Sequence, residues 1–346
     1  MNIVVLCGGL SSERDVSLTG GTLIARALRE RGHAVALVDS FLGYSRPFEQ
    51  PLEAFTSEQI DEPYSVPETE PDLEALKAAR APGNFGVLGA NVIELCRAAD
   101  ITFLALHGED GENGRIQATL DVFGVKYTGS GYLGSALAMN KELSKKLLAA
   151  YGIGTPMGIT LYKSADSYEN IGFPCVVKPC SGGSSVGTSI VRNPDDYLPA
   201  LELAFKYEDA VLVEKYIAGR ELTCGVMDGV AMPIIEIIPR EGFYDYKNKY
   251  QAGLTEEICP ANITEDEAKR VSLVSEAAYR ALMLEAYCRV DLLMDAAGRL
   301  YCLEANTLPG MTPTSLVPQM AAAQGRGYSE LCEDIIAVSL KKYNKY

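Results

Sequence analysis

The sequence is poor in positive charge and in histidine, and it has no apolar run long enough to cross a membrane. Its 346 residues include 31 Lys and Arg against 46 Asp and Glu, a formal net charge of −15 at pH 7, and only two histidines. No cluster of Lys and Arg stands out, which argues against a nucleic-acid binder. No segment reaches the roughly 18 apolar residues of a membrane span. Any phosphate-bearing ligand must therefore be bound by a few placed lysines and metal ions.

The first residues do not have the pattern of a secretory leader, and paired cysteine motifs are absent. Its start has no basic segment, and the short apolar run ends in Gly8-Gly9, so we expect no signal peptide. The nine cysteines are scattered and form no C-x-x-C pair. Free buried thiols are favoured over zinc or disulfide sites, and this places the protein in the cytoplasm.

The first part of the chain shows an α/β pattern. Strands are predicted over residues 3–7, 33–38 and 101–106. A helix predicted over residues 16–31 joins the first two strands, which makes a βαβ unit with a parallel sheet. Residues 43–84, rich in Pro, Glu and Ser, predict surface loops and a short helix, and residues 133–151 predict one long helix.

The rest of the chain predicts antiparallel hairpins. The strands are predicted over residues 174–178, 188–192, 211–216, 221–227, 230–238, 289–294 and 300–304. Asp228-Gly229 is a strong two-residue hairpin signal. The length suits two or three domains. The fold class is therefore α/β in the N-terminal domain and α+β, with antiparallel sheets, in the remainder of the chain.

The hairpin around residues 295–298 carries the most informative polar pattern. Residues two apart in a strand share a face, so Arg289 lies beside Asp291. Glu304 and Asn306 lie together on the partner strand for the same reason. Two carboxylates and an amide oxygen suit Mg²⁺, which completes its shell with phosphates and water. A cross-strand salt bridge from Arg289 to Glu304 on a solvated face is the alternative.

The same turn predicts a register for this hairpin. Arg289 is placed opposite Glu304, and Asp291 opposite Cys302. The neighbours predicted to pack on the other face are Val290, Leu292, Leu303 and Ala305.

A loop rich in glycine and serine, residues 181–187, joins two predicted strands. Small residues let backbone N–H groups approach an anion, but no Walker A lysine follows, so a phosphate loop and an ordinary hairpin loop both stay open. Lys178 ends a buried-looking strand, where a phosphate is a fitting partner. Glu214-Lys215 also ends an apolar run and either borders an adenine slot or carries strand-end charges in water.

Two residues follow the ends of predicted parallel strands. His107 comes directly after the third strand, and Glu13 follows the first. Ligands bind at the carboxyl edge of strands in open α/β sheets, so these side chains are candidates for one site.

Several longer motifs stand along the chain in a fixed order. They are Gly8-Gly9-x-Ser11-x-Glu13-x-x-Val16-Ser17, Ala105-Leu106-His107-Gly108, Gly111-Glu112-x-Gly114, Tyr127-Thr128-Gly129-Ser130-Gly131, Met139-Asn140-Lys141, Val177-Lys178-Pro179, Gly183-Ser184-Ser185-Val186-Gly187, Val213-Glu214-Lys215, Lys249-Tyr250, Arg289-Val290-Asp291, Leu303-Glu304-Ala305-Asn306 and Pro309-Gly310-Met311-Thr312-x-x-Ser315-Leu316. This ordered set resembles the D-alanine–D-alanine ligase family of the ATP-grasp superfamily, over nearly the whole chain.

The resemblance implies an ATP-grasp fold in three domains. They are a Rossmann-like (pre-ATP-grasp) N-terminal domain at residues 1–129, a central ATP-grasp subdomain at 130–214 and a C-terminal one at 215–346, with a catalytic lid at about 242–257. The implied reaction joins two D-alanines to D-alanyl-D-alanine for peptidoglycan precursors, forming ADP and phosphate through an acyl phosphate. ATP and two Mg²⁺ ions, or Mn²⁺ in their place, are expected, with a homodimer and neither nucleic acid nor membrane as partner.

The resemblance also implies residue roles. The ATP-binding residues are Lys141, Lys178, Ser185, Glu214, Lys215, Ile217 and Glu221, and the metal ligands are Asp291, Glu304 and Asn306. The catalytic residues are Glu13, Ser184, Tyr250, Arg289 and Gly310. The substrate-binding residues are Glu13, His107, Lys249, Arg289, Ser315 and Leu316.

The identity of the second substrate stays open. Tyr250 with Lys249 argues against a D-lactate-using relative, whereas a D-alanine–D-serine ligase of the same family is the alternative because the pocket near Leu316 sets that choice. A different ATP-grasp ligase and a non-enzymatic nucleotide-binding module are the remaining hypotheses.

Overall fold

Three sheets organise the chain in sequence order. A computed structural model describes residues 1–58, 61–62, 64, 71–80, 86–164, 169–183, 186–239 and 255–344. Among these residues, no helix combines the length and the apolar character that crossing a bilayer requires.

The first sheet is parallel and has the order β2-β1-β3. Its strands are β1 (Asn2–Cys7), β2 (Ala34–Asp39) and β3 (Ile101–Leu104). Helix α1 (Arg14–Glu30) connects β1 to β2 and buries Ile24 and Leu28. Gly21 lets this helix lie close to the sheet, since a methyl group there would come within 2.5 Å of the Cys7 Cβ. The predicted βαβ unit is confirmed.

Short helices complete the first part of the chain. They are α2 (Leu73–Ala79), α3 (Val92–Ala98), α4 (Glu109–Glu112) and α5 (Arg115–Val122), with a 3-10 turn at Pro51–Ala54. The long helix predicted over residues 133–151 is wrong: two helices stand there, α6 (Tyr132–Met139) and α7 (Lys141–Ala150). Asn140 has an extended backbone, and its side chain caps α7 by accepting the N–H of Leu143 at 3.0 Å. Asparagine favours this capping position over a helix interior, so the helix restarts there.

The second sheet is antiparallel and has the order β4-β7-β5-β6. Its strands are β4 (Gly158–Tyr162), β5 (Cys175–Pro179), β6 (Ser189–Val191) and β7 (Ala210–Lys215). Helix α8 (Tyr197–Ala204) covers one face, where Leu201 packs with Val177 and Val211. Lys178 and Glu214 alternate with these core residues and project from the opposite face, as a period of two requires.

The third sheet is also antiparallel, with the order β10-β9-β8-β11-β12. Its strands are β8 (Gly219–Met227), β9 (Val230–Pro239), β10 (Thr255–Ile258), β11 (Tyr287–Asp295) and β12 (Leu300–Asn306). Asp228 and Gly229 have φ of 53° and 78°, the conformation that a tight hairpin turn needs, so the predicted hairpin is confirmed. Helix α9 (Glu265–Ala281) packs on this sheet and begins with a capping box from Thr264 to Glu267.

The predicted register of the β11–β12 hairpin is wrong by two residues. Arg289 pairs with Asn306, and Asp291 pairs with Glu304. One shift arises in the turn, where the Asp295 N–H bonds the Arg299 carbonyl at 3.0 Å, so the loop is shorter than the four predicted residues. The second shift is an irregularity between Asp291 and Leu292, which pair with Glu304 and Cys302. Leu303, between those two partners, is the extra residue.

Two one-residue shifts restore the original face, because side chains alternate with a period of two. The four polar side chains of the hairpin therefore share a side, as predicted. The packing side differs at one position: Cys302 is buried in the core, whereas Leu303 faces a cleft between the second and third sheets.

The C-terminal helices α10 (Leu316–Ala323) and α11 (Tyr328–Leu340) pack back on the N-terminal part of the chain. A single apolar core joins Ile24 and Leu28 of α1 to Met320 and Ile335 of these helices. The first and third sheets are thus held together by a continuous packed interior.

Candidate active site

The cleft between the second and third sheets has a volume of about 470 Å³. Its apolar lining comes from both walls and includes Val176, Ile190, Ile217, Ile237, Leu293 and Leu303. A concave site of this size, apolar with a few polar groups, is typical of small-molecule binding.

Most of the residues predicted to bind nucleotide and metal meet in this cleft. Those that line it are Lys141, Lys178, Glu214, Lys215, Ile217, Glu221, Asp291 and Glu304. They come from α7, from three strands of the third sheet, from two strands of the second sheet and from the segment between these sheets. Ser185, also predicted to bind ATP, lies outside the described residues.

One buried carboxylate organises the lysines of the second sheet. Glu214 is only 3% exposed, and it accepts from Lys178 at 2.5 Å and from Lys145 of α7. Burial would raise the pKa of Glu214, but Lys178 and Lys145 hold it below its ordinary value. For Lys178, burial would lower the pKa, but Glu214 raises it, so the ammonium stays charged. The Glu214 side chain therefore points at two lysines, and a ligand can meet its backbone.

Lys141 bridges the two walls. Its ammonium group donates to the Gly182 carbonyl at 2.5 Å and lies 3.3 Å from Glu304 of β12. The backbone N–H of Lys141 also bonds the Cys180 carbonyl at 2.9 Å. These contacts fix a cation at the base of the glycine and serine loop.

The third sheet presents acidic groups. Asp291 is 8% exposed and accepts from both Nε and Nη2 of Arg289, each at 2.9 Å. Thr223 of the neighbouring strand donates to the same carboxylate at 2.6 Å, and Asn306 donates at 3.0 Å. The salt bridge of Arg289 thus runs along its own strand to Asp291, rather than across to Glu304 as the alternative interpretation required.

The chemistry of the donors on this wall fits a hard divalent cation. Asp291, Glu304 and Asn306 carry side-chain oxygens on one face of the β11–β12 hairpin, and oxygen is the ligand type such a cation requires. Within the described part of the chain, no group of three or more His, Cys, Asp and Glu is arranged to hold a metal. Two carboxylates and an amide leave room for phosphate oxygens and water, which is the shell that Mg²⁺ adopts.

A second cluster adjoins the cleft at the carboxyl edge of the first sheet. The His107 ring nitrogen Nδ1 donates to the Leu308 carbonyl at 3.0 Å, and its own carbonyl accepts from Ser11 at 2.8 Å. Burial lowers the pKa of His107, against the opposing charge of Glu13. A Glu13 carboxylate oxygen lies so near the loop that a methyl group on Gly183 would stand 3.2 Å from it. Glu13, at the start of α1, therefore lies close to Gly183, the residue before Ser184.

Glu112 belongs to this cluster, although no role was predicted for it. Its carboxylate accepts the backbone N–H of Gly108 at 2.6 Å. Burial and the nearby Glu13 raise the pKa of Glu112 to about 7. A carboxyl group shifted in this way by its surroundings is a marker of functional sites.

Gly310 and Ser315, both predicted to act on the second substrate, lie next to each other. A methyl group on Gly310 would come within 2.9 Å of the Ser315 hydroxyl oxygen, so these two residues are in contact. The Ser315 hydroxyl accepts the Thr312 N–H at 3.1 Å at the start of α10. Leu316 packs into the core that joins the first and third sheets.

Besides Ser185, four predicted features fall wholly or mostly outside the described residues. They are Ser184, Lys249, Tyr250 and the lid at residues 242–257, of which only 255–257 are described.

Comparison with known proteins identifies the family of this chain. Residues 2–130 match the family model described as D-ala D-ala ligase N-terminus, and residues 158–337 match D-ala D-ala ligase C-terminus. The chain belongs to the D-ala D-ala ligase family.

Individual members of this family match over full length. A D-alanine–D-alanine ligase from Pediococcus pentosaceus is 43% identical over 100% of this chain and 99% of its own. One from Lacticaseibacillus casei is 42% identical over 99% of this chain and 97% of its own. The crystal structure of the Bacillus anthracis ligase complexed with ATP has 31% identity and a TM-score of 0.75, covering 100% of this chain and 99% of its own. The predicted ATP-grasp fold is confirmed.

Within this family fold, sequence reasoning missed three polar residues of the site. Lys145 follows Lys141 by four positions on α7, a spacing that puts both on one helix face and that was available as a signal. Thr223 on β8 lies directly opposite Asp291 on the adjacent strand β11, and this pairing can be known only from the register of the sheet. Glu112 acquires its altered pKa from burial, which no local pattern reveals.

Proposed function

We propose that this protein joins two D-alanines to D-alanyl-D-alanine and converts ATP to ADP and phosphate. The curated relatives at 43% and 42% identity are D-alanine–D-alanine ligases. The observation that carries the proposal is the cleft itself, where a wall of lysines faces a wall of carboxylates. A carboxylate is a poor electrophile, and phosphorylation by ATP makes it an acyl phosphate that an amine can attack.

The lysine wall is proposed to bind the phosphates. Lys141 and Lys178 enter the cleft beside the Gly182–Gly183 segment, whose backbone allows a close approach. Lys215 and Ile217 border the apolar end, where a backbone edge suits adenine. Placed cations of this kind hold the transferring group in line and neutralise its charge.

Asp291, Glu304 and Asn306 are proposed to hold Mg²⁺, for which Mn²⁺ can substitute. When bound, the metal supplies charge neutralisation on the phosphates. Arg289 donates to Asp291 in the structure and keeps that carboxylate turned toward the cleft wall.

The first D-alanine is proposed to bind near Glu13 and His107. The Glu13 carboxylate suits the ammonium group. The Leu308 carbonyl only accepts, so Nδ1 of His107 carries a proton and a neutral ring presents Nε2 as an acceptor. The ring donates to a substrate carboxylate only after it takes up a second proton, and the negative charge of that carboxylate favours this uptake.

The second half of the reaction is assigned to the far end of the site. Arg289 and the Gly310 N–H are proposed to stabilise the tetrahedral oxyanion, a task for preorganised donors. Ser315 is proposed to bind the carboxylate of the second D-alanine, with Leu316 shaping its pocket. Ser184, Tyr250 and Lys249 are assigned to the trio and lid that exclude water.

The domain boundaries at residues 129/130 and 214/215, and a homodimer, stay predictions. The nine cysteines are free, and eight are buried, which supports a reducing compartment such as the cytoplasm.

Phosphate release from ATP and Mg²⁺ tests the function. We expect release with D-alanine alone, and a loss of roughly 10³-fold in Glu304→Gln because a metal ligand is weakened. Release that requires D-serine in addition to D-alanine would move the assignment to the D-serine alternative. No release with any D-amino acid contradicts the proposal.

A further inference from the structure

Lys145 has a place in the structure that differs from that of the other lysines of the site. It donates to Glu214 from α7, and to the Pro156 carbonyl, and its side chain is 14% exposed. It lines a separate surface depression together with Lys146 and Tyr162. Lys178 and Glu214, in contrast, line the nucleotide cleft. Lys145 therefore lies behind the cleft wall and can affect the cleft through its contact with Glu214.

The three side chains form a buried group with surplus positive charge. The exposed fractions of the Lys145, Glu214 and Lys178 side chains are 14%, 4% and 13%. Each lysine bonds a different oxygen of the single carboxylate. Glu304 also attracts Lys178, but it lies 3.3 Å from Lys141 and is shared with that lysine. In such a partly dry setting, charges interact far more strongly than in water, so the two-to-one ratio within the group leaves positive charge available to an anion.

Without Lys145, the balance inside this group would change. Glu214 would have Lys178 as its remaining lysine, and the pair would be neutral. A lysine in a closed, neutral ion pair must give up part of that interaction to contact a phosphate. With Lys145 present, the carboxylate is already satisfied on one side, and the charge of Lys178 is available.

We propose that Lys145 is a positioning residue that makes Lys178 a phosphate-binding cation by sharing the Glu214 carboxylate with it. The proposal rests on the proposed function in one respect, namely that the anion facing Lys178 is a phosphate of ATP. The orientation of Lys178 is set by Glu214, and its available charge is set by Lys145.

The alternative is that Lys145 only supports the fold, by tying α7 to β7 and to the Pro156 segment. The two roles differ in what they do to ligands that share an adenosine part. A charge effect weakens the binding of ATP and ADP but spares adenosine, which has no phosphate. A general loosening of the cleft weakens all three.

The test is calorimetric binding of adenosine, ADP and ATP with Mg²⁺ to the full chain. In Lys145→Met we expect the Kd of ADP and ATP to rise about tenfold, as for partners that orient binding groups. The Kd of adenosine should stay within about twofold, a change of under 1 kcal/mol. Lys145→Arg, which keeps the charge, should restore ATP affinity. The matched control is Lys146→Met, an exposed lysine of the same helix that pairs with Glu142 at 2.6 Å.

Two results overturn the proposal: unchanged ATP affinity in Lys145→Met, or an equal loss for ATP and adenosine. If Lys145→Met does not fold, Lys145→Gln keeps a hydrogen-bond donor without the charge, and the same criteria apply. The assay contains no D-alanine, so it is independent of ligation. A wild-type protein that binds ATP but does not ligate D-alanine would refute the proposed function and leave this inference in place.

Discussion

The two walls of the cleft use the same arrangement with opposite signs. In the second sheet and α7, Lys145 and Lys178 are set against the carboxylate of Glu214. In the third sheet, Asp291 and Glu304 are set against the guanidinium of Arg289. In each wall the charge in the minority bonds opposite charges directly: Glu214 accepts from both lysines, and Arg289 donates to Asp291. Glu304 instead lies 3.3 Å from Lys141. The surplus left over is positive on one wall, which suits phosphates, and negative on the other, which suits a metal ion.

The number of buried charges of each sign in a wall can therefore matter for function, as well as their positions. Replacing the minority group removes the orientation of that wall, whereas replacing a majority group changes the surplus. Removing one partner of a buried ion pair also destabilises the fold, because the other charge is left uncompensated. We expect such substitutions to change ligand binding and turnover beyond this effect on stability.

The largest effect is expected from removing the minority charge of the acidic wall. Arg289→Met should lower kcat by roughly 10² to 10³-fold, because the proposed oxyanion donor is lost and Asp291 loses two hydrogen bonds. Steady-state phosphate release measures this change. Arg299→Met, an exposed arginine at the turn of the same hairpin, is the control and should keep wild-type turnover. Similar kcat values for both variants would break the comparison.

Packing behind the acidic wall gives the next effect. Leu292→Ala should lower the free energy of unfolding by about 2–5 kcal/mol, because this side chain is fully buried in the core. Leu303→Ala should cost less than about 1 kcal/mol, since Leu303 faces the cleft. Urea denaturation compares the two. Equal costs would mean that the register of the hairpin is wrong.

The pKa values of two carboxylates at the site are shifted in opposite directions. Lysines lower the pKa of Glu214, whereas burial and Glu13 raise the pKa of Glu112 from an ordinary 4.5 to about 7. Between pH 4.5 and about 7, Glu112 keeps a proton in the folded protein that it has released in the unfolded chain. The free energy of unfolding therefore falls as pH rises through this window.

Glu112→Gln removes that titration. The variant should match wild type near pH 4.5 and exceed its stability by about 2 kcal/mol above pH 7. Denaturation at several pH values measures the difference, with Glu202→Gln, an exposed glutamate of α8, as the control. A constant difference between Glu112→Gln and wild type across this range would contradict the assignment.

The smallest effect is expected from the hydroxyl that supports the acidic wall. Thr223→Val removes the 2.6 Å hydrogen bond to Asp291 and keeps the shape of the side chain. The Mg²⁺ concentration for half-maximal activity should rise about tenfold, as for other groups that orient metal ligands. Thr102→Val, an equally buried threonine of the first sheet, should leave this value unchanged. The same Mg²⁺ requirement in both variants would contradict a role for Thr223 in orienting the proposed metal ligand Asp291.

Much of this organisation could be predicted from sequence, because it depends on local patterns. The βαβ unit follows from apolar runs ending at glycines, and the shared face of Arg289, Asp291, Glu304 and Asn306 follows from strand alternation. The partners across the β11–β12 hairpin could not be predicted, because one turn and one irregularity each shift the register by a residue. The break at Asn140 was missed because the residues on both sides favour helix.

The contacts that tune the site were also beyond a sequence pattern. Lys145 meets Glu214 across 69 positions, and Thr223 meets Asp291 across 68. Such pairs depend on how helices and strands pack, and not on spacing within one element. The family was therefore predictable from the motifs, whereas the balance of charge in the walls of the cleft required the structure.

The most direct test of the central claim follows oxygen atoms. D-alanine labelled with ¹⁸O in its carboxylate is incubated with ATP, Mg²⁺ and the enzyme, and the phosphate released is analysed by mass spectrometry. An acyl phosphate leaves one carboxylate oxygen on the phosphate, so we predict one ¹⁸O per phosphate and one dipeptide formed for each. Unlabelled phosphate alongside dipeptide would contradict the acyl-phosphate route, and unlabelled phosphate without dipeptide would indicate simple ATP hydrolysis.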